Sequence, residues 1–213
     1  MRAALRDNWF VHFVMTLIVL AVVAIGVLGV APHANAQVPP AAAIYKREYV
    51  RIVRSEWGLW APVATFAGQI HQESAWNCRA VSRVGARGCA QFMPTTAVWI
   101  GDVDHGLREG DVHSPAWAFR AQAVYMKWLH ARIKASDQCE HMAFALSAYN
   151  GGLGYVQKRQ KLSARPGVCL GATCSINPGI TPANQRENAH YPHRILRELE
   201  PRYEAAGWGI GSC

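Results

Sequence analysis

Residues 63–76, VATFAGQIHQESAW, carry the pattern on which the reading of the chain turns. Val63, Phe66, Ala67, Ile70 and Ser74/Ala75 recur at helical spacing, and Pro62 suits a first helical turn. Glu73 falls three residues after Ile70, seven after Phe66 and ten after Val63. That spacing puts a carboxylate on the apolar face, near the C-terminus of the helix. Burial disfavours the charged carboxylate, and so does the negative end of the helix macrodipole. A carboxyl kept protonated toward neutral pH is what a general acid requires. The plain alternative is a glutamate at the core edge, satisfied by Ser, Gln or Arg.

Outward from this helix the chain reads as further helices. Val81–Met93, with Gly85 and Gly88, suggests a loop or a small ribbon, and Thr95 or Thr96 could cap a helix after Gln91. Ser114-Pro115 reads as an N-cap followed by Pro at the first helical position. Behind it Trp117, Ala121, Val124, Tyr125, Trp128 and Leu129 keep one face as far as Arg132. Met142, Ala145, Leu146 and Tyr149 mark a third helix, ended by Asn150-Gly151-Gly152. Tyr149 therefore presents its hydroxyl at a helix end, although a plain core tyrosine fits the pattern too. A fourth stretch, Asn184 to Leu199, is interrupted by Pro192. The expectation is one all-α or α+β domain, mainly helical, over residues 45–213, with 37–44 (QVPPAAAI) as a linker.

The chain has 213 residues, 51% hydrophobic and 17% charged, which excludes a disordered tail. Arg2 and Arg6 precede a greasy run, and Ala34-Asn35-Ala36 forms a small-x-small site. Residues 1–36 thus read as a cleaved secretory signal peptide, or as an uncleaved signal anchor holding the inner membrane transiently through residues 9–31. On either reading the remainder is exported to the periplasm. Beyond residue 36 there are 20 basic and 13 acidic residues, so the net charge of +7 belongs to the exported part. Export with that charge argues against nucleic acid and for an anionic envelope polymer. All six cysteines (Cys78, Cys89, Cys139, Cys169, Cys174 and Cys213) lie there as well, consistent with up to three disulfides among 15 connectivities. A zinc array of Cys169, Cys174, His190 and His193 is the competing reading, with a His pair tighter than usual.

Three ordered blocks then carry a resemblance. Glu73-Ser74-Ala75-Trp76-Asn77 comes first. Ala80-Val81-Ser82, Gly85-Ala86, Gly88, Gln91, Met93-Pro94 and Thr96-Ala97 make the second. Ala148-Tyr149-Asn150-Gly151-Gly152, with Gly154, is the third. Together they resemble the soluble lytic transglycosylase family, whose fold is similar to goose-type lysozyme. Gly101, Asp111, Pro115, Ala118, Ala123, Tyr125 and Leu129 extend the likeness, which spans about Val63 to Tyr191.

The resemblance implies a lysozyme-like domain with a glycan groove. Glu73 would be its single acid/base; Ser82, Gln91, Tyr149 and Asn150 would line the groove. Glu187 and Tyr191, in the sequence E-N-A-H-Y, fit a weaker last motif whose aromatic faces the site. The implied activity is a carbon–oxygen lyase cleaving the N-acetylmuramic acid–N-acetylglucosamine bond of peptidoglycan to 1,6-anhydromuramic ends. It implies no cofactor, no metal, and peptidoglycan strands as partner of a monomer. A hydrolytic goose-type lysozyme would need a second acid, with Asp102, Asp104 or Asp111 as candidates. Cys78 stands where Pro is usual, Cys89-Ala90 replace Leu-Met, and Gly151 replaces a frequent Ala. Cys78 and Cys89 flank the site loop, so a bridge between them could pin it; Cys169–Cys174 and Cys139–Cys213 would then complete the set. For the setting, the long Ala/Gly-diluted N-terminal segment resembles that of signal-arrest-release phage endolysins. The alternative is a wall-remodelling enzyme of a bacterial secretion or conjugation machine.

Overall fold

The computed structural model describes residues 38–213, so the signal or anchor read in residues 1–36 lies outside the described residues. The described helices are α1 (Pro40–Trp57), α2 (Val63–Ser74), α3 (Pro94–Val103), α4 (Pro115–His130), α5 (Gln138–Gly151), α6 (Leu153–Leu162), α7 (Pro182–Arg194) and α8 (Glu200–Ala205). None of them is long and apolar enough to cross a membrane.

Two sequence expectations are corrected here. The linker read over 37–44 gives way to helix at Pro40, whose fixed φ suits the first turn. Ala42 in that same segment is fully buried, while Ile44 faces outward. The β component of an α+β reading shrinks to two isolated bridges, Val81–Arg87 and Arg87–Phe92. Tight turns there (Gly85 N–H to Ser82 O, 3.0 Å, and Gln91 N–H to Gly88 O, 3.3 Å) leave no room for a longer ladder.

The periodic faces become the core. In α2, Val63, Phe66, Ala67 and Ile70 are fully buried, with Pro62 just ahead of the first turn. This helix lies against α8 and the wider turn Ile195–Leu199, and a Cβ on Gly68 would sit 3.1 Å from that of Leu199. α1 packs on α4, α4 on α5, and α5 on α6 and α7. Pro192 has no N–H to donate inside α7, and the helix widens into a π turn over Ile195–Leu199 before α8 continues the path.

An aromatic cluster anchors the end of α2. Trp76 is 1% exposed and packs against Tyr49, Phe119 and Trp208 at ring separations of 5.1, 5.7 and 5.0 Å. Its indole N–H donates to Tyr203 Oη at 2.6 Å, so no polar atom is orphaned by the burial. Three disulfides close the fold: Cys78–Cys89, Cys139–Cys213 and Cys169–Cys174. The last joins the two sulfurs of the zinc array to each other, which removes both of its thiolate ligands.

Candidate active site

Glu73 occupies the last turn of α2, and the chain reverses immediately after it. Ala75 and Trp76 both adopt left-handed backbone, at φ of 49° and 69°. Such conformations are unfavourable for residues with a Cβ; the buried Trp76 ring holds this one in place. The reversal leads into the Cys78–Cys89 loop, and Ser74 Oγ donates to Cys89 O at 2.8 Å. The loop that follows Glu73 in sequence is therefore fastened back onto the residue beside it.

The Glu73 side chain is partly buried and accepts a hydrogen bond at Oε1 from the Tyr191 hydroxyl. Burial pushes its carboxyl up to about 7; the Tyr191 hydrogen bond opposes that shift, and the nearby negative charge of Glu187 reinforces it. Tyr191 comes from α7 and is 3% exposed. Burial raises the phenols of Tyr191 and Tyr149 well above their ordinary value, and the Glu73 charge adds to both shifts. Both phenols are thus neutral hydrogen-bond donors at physiological pH. Tyr149 gives its proton to Ala90 O at 2.7 Å, which ties α5 to the loop.

The other residues expected at the site fall into two groups. Asn150 sits at the end of α5, and its Nδ2 lies 3.3 Å from Glu187 Oε1. Both help to line a cavity of about 390 Å³, bounded on the loop side by Val84. Ser82 and Gln91 instead shape the loop: Ser82 Oγ accepts from Ala86 N–H at 2.9 Å, and Gln91 Nε2 donates to Gly88 O at 2.9 Å. Gln91 is itself left-handed, at φ 49°.

The three aspartates considered as a second acid each have partners of their own. Asp102 pairs with Arg108 at 3.6 Å, Asp104 with Arg120 at 2.7 Å, and Asp111 accepts from His113 N–H at 2.8 Å. Asp104 also lines a separate hollow of about 570 Å³ with Glu56 and Trp128. The carboxylate whose charge reaches Glu73 is Glu187. The residue that the sequence reading missed is Asn188, buried behind Asn150. A polar residue inside a polar helix leaves no periodic signal.

Fold and site define a helical domain in which a buried-edge carboxyl is bonded by the Tyr191 hydroxyl, with Tyr149 within reach of its charge. The chain belongs to the family of the transglycosylase SLT domain, whose model matches residues 55–167. Membrane-bound lytic murein transglycosylase F of Shewanella denitrificans is 33% identical over 98 residues, covering 46% of this chain and 18% of that one. The protein of the same description from Vibrio vulnificus is 31% identical over 132 residues, covering 57% and 24%. This chain thus spans about a fifth of the length of these curated relatives. Among solved structures, an inactive Glu-to-Gln mutant of lytic transglycosylase Slt from Pseudomonas aeruginosa superposes with a TM-score of 0.56 at 20% identity, over 76% of this chain and 24% of that one. The fold is therefore the lysozyme-like fold of that family.

Proposed function

We propose that this chain is a peptidoglycan lytic transglycosylase and that Glu73 is its acid and base. The observation that carries the reading is a single carboxyl, raised to about 7, hydrogen-bonded by Tyr191 at the end of α2. Protonated Glu73 gives its proton to the glycosidic oxygen between N-acetylmuramic acid and N-acetylglucosamine. The resulting carboxylate takes the proton of the muramyl C6 hydroxyl, whose oxygen attacks C1. A 1,6-anhydromuramic end forms and no water is consumed. A group that must be acid first and base second works best with a pKa near the operating pH. Ser82, Gln91, Tyr149, Asn150 and Tyr191 are the glycan-contacting set of this reading. Its +7 charge concentrates the exported domain on the anionic wall.

The setting we infer is the periplasm, with the enzyme acting as a monomer. The Ala/Gly-diluted run within residues 9–31 supports a phage endolysin that leaves the membrane before lysis. The relatives, membrane-bound lytic murein transglycosylases, favour the wall-remodelling alternative. Recovery of a chain beginning at Gln37 would identify a cleaved signal and end the release proposal.

The reaction is tested by digesting purified peptidoglycan with wild type and with Glu73→Gln and analysing the products by mass spectrometry. Anhydro ends that vanish in the variant are expected. Reducing ends would replace this reading with hydrolysis, Glu187 being the acid to examine next. More than a few per cent of residual cleavage in the variant would remove Glu73 from its role.

A further inference from the structure

Asn150 can meet a ligand as a donor, through Nδ2, or as an acceptor, through Oδ1. The network behind it decides which. Asn188 Nδ2 lies 2.9 Å from the Ser147 carbonyl, which can only accept. Asn188 Oδ1 lies 2.6 Å from Arg159 Nη1, which can only donate. These two partners leave Asn188 one orientation. Its remaining Nδ2 proton points to Asn150 Oδ1, at 2.9 Å. Asn150 is thereby turned with its oxygen inward and its Nδ2 outward, beside Glu187.

The anchor of the chain is Arg159, on α6 and 0% exposed. Among the described residues no carboxylate pairs with it. Its guanidinium is instead held by neutral acceptors: Ile176 O at 2.9 Å, Gln185 Oε1 at 2.8 Å and Asn188 Oδ1. Burying an arginine without a counter-charge is costly, and stability alone does not call for it. Arg159 supplies a donor that cannot be deprotonated, so the polarity of the whole relay is fixed at every working pH. Gly151 belongs to the same arrangement: a Cβ there would press on Asn188 Nδ2 and stand 2.9 Å from its Cγ.

We propose that Arg159 and Asn188 are positioning residues that fix Asn150 as a hydrogen-bond donor toward the glycan, so that the groove selects an acceptor, such as an N-acetyl carbonyl, at that point. The inference rests on the transglycosylase reading. Asn188→Asp reverses the relay. The new carboxylate still accepts from Arg159, and so keeps the buried charge satisfied, but it can donate neither to the Ser147 carbonyl nor to Asn150. Asn150 then turns its Nδ2 inward and presents Oδ1 to the groove.

The experiment measures kcat and KM on purified peptidoglycan for the full-length protein, with melting curves alongside. The variants are Asn188→Asp, Asn150→Ala and the double variant. Asn188→Asp should raise KM about tenfold with kcat within twofold, in a protein that still melts in one cooperative transition, the size expected for one lost hydrogen bond to the ligand. In the Asn150→Ala background, adding Asn188→Asp should change KM less than twofold, because the relay then has nothing to orient. Gly151→Ala displaces Asn188 without changing its chemistry, so it repeats the test if Asn188→Asp does not fold. An unchanged KM overturns the proposal. So does an effect of equal size with and without Asn150. A wild-type protein that leaves peptidoglycan intact overturns the transglycosylase reading and the inference with it.

Discussion

Glu73→Gln should make the protein more stable, and the gain should grow with pH. The Glu73 carboxyl is raised from 4.5 to about 7, mainly by burial. Between those two values the folded chain keeps a proton that the unfolded chain has released. Stability therefore falls as pH rises through this window, and above it the full penalty is present. At about 1.4 kcal/mol per pH unit, the penalty comes to about 3 kcal/mol, or nearer 2 after allowance for partial exposure. The substituted glutamine has the same shape and still accepts at Oε1 from Tyr191, but it never charges. For a domain of this size, roughly 2–4 °C of Tm accompanies each kcal/mol. Melting curves of both proteins should differ by roughly 4–8 °C more at pH 8.5 than at pH 4.5, other titrating groups cancelling in the difference. The same Tm difference at both pH values would show that Glu73 titrates as an ordinary surface acid, and its role as acid and base would fall without any substrate having been used.

Other perturbations separate the causes. Tyr191→Phe removes the hydrogen bond that stabilises the Glu73 carboxylate, so the alkaline limb of the pH–activity profile should move up by about one pH unit. Glu187→Gln removes a repelling charge and should move the same limb down by less; movement in one direction for both variants would contradict the causes assigned to Glu73. Gly88→Ala places a Cβ against the Val112 carbonyl at φ 77°, and should cost roughly 3 kcal/mol or more by denaturant titration. Replacing Cys139 and Cys213 by Ser opens a span of 74 residues and should cost roughly 4 kcal/mol, against roughly 2 for the 5-residue Cys169–Cys174 span; equal losses would show that chain entropy is not what these bridges limit.

What could be read from the sequence follows from what each segment buries. α2, α4 and α5 are buried on nearly every side over much of their length, and their large apolar residues, among them Phe66, Ile70, Trp117 and Leu146, announce them. The start of α1 is Ala-rich and entered through Pro39-Pro40, which looks like a spacer until Ala42 is seen packed. α6 buries only Val156 and Arg159, too little apolar pattern to mark a helix. At the site, Glu73 showed itself through its place on a periodic face, whereas Tyr191 and Glu187 entered only with the family resemblance. Asn188 was not legible in either way, since its importance lies in four hydrogen bonds to three residues, Ser147, Asn150 and Arg159, drawn from two helices. Ser82 and Gln91 lie in the expected segment, but their bonds are spent on the turn itself.

The contact between Gly151 and Asn188 reaches beyond this one molecule, into how relatives are able to diverge. A methyl at 151 and an amide at 188 compete for the same space. A lineage that acquires alanine at the first position must shorten or remove the side chain at the second, and one that keeps the amide is bound to glycine. Alanine at 151 displaces the amide if it comes first, whereas a shorter side chain at 188 leaves room for it, so the order of the two changes matters. The two positions should therefore covary across the family, alanine at the first accompanying a shorter side chain at the second.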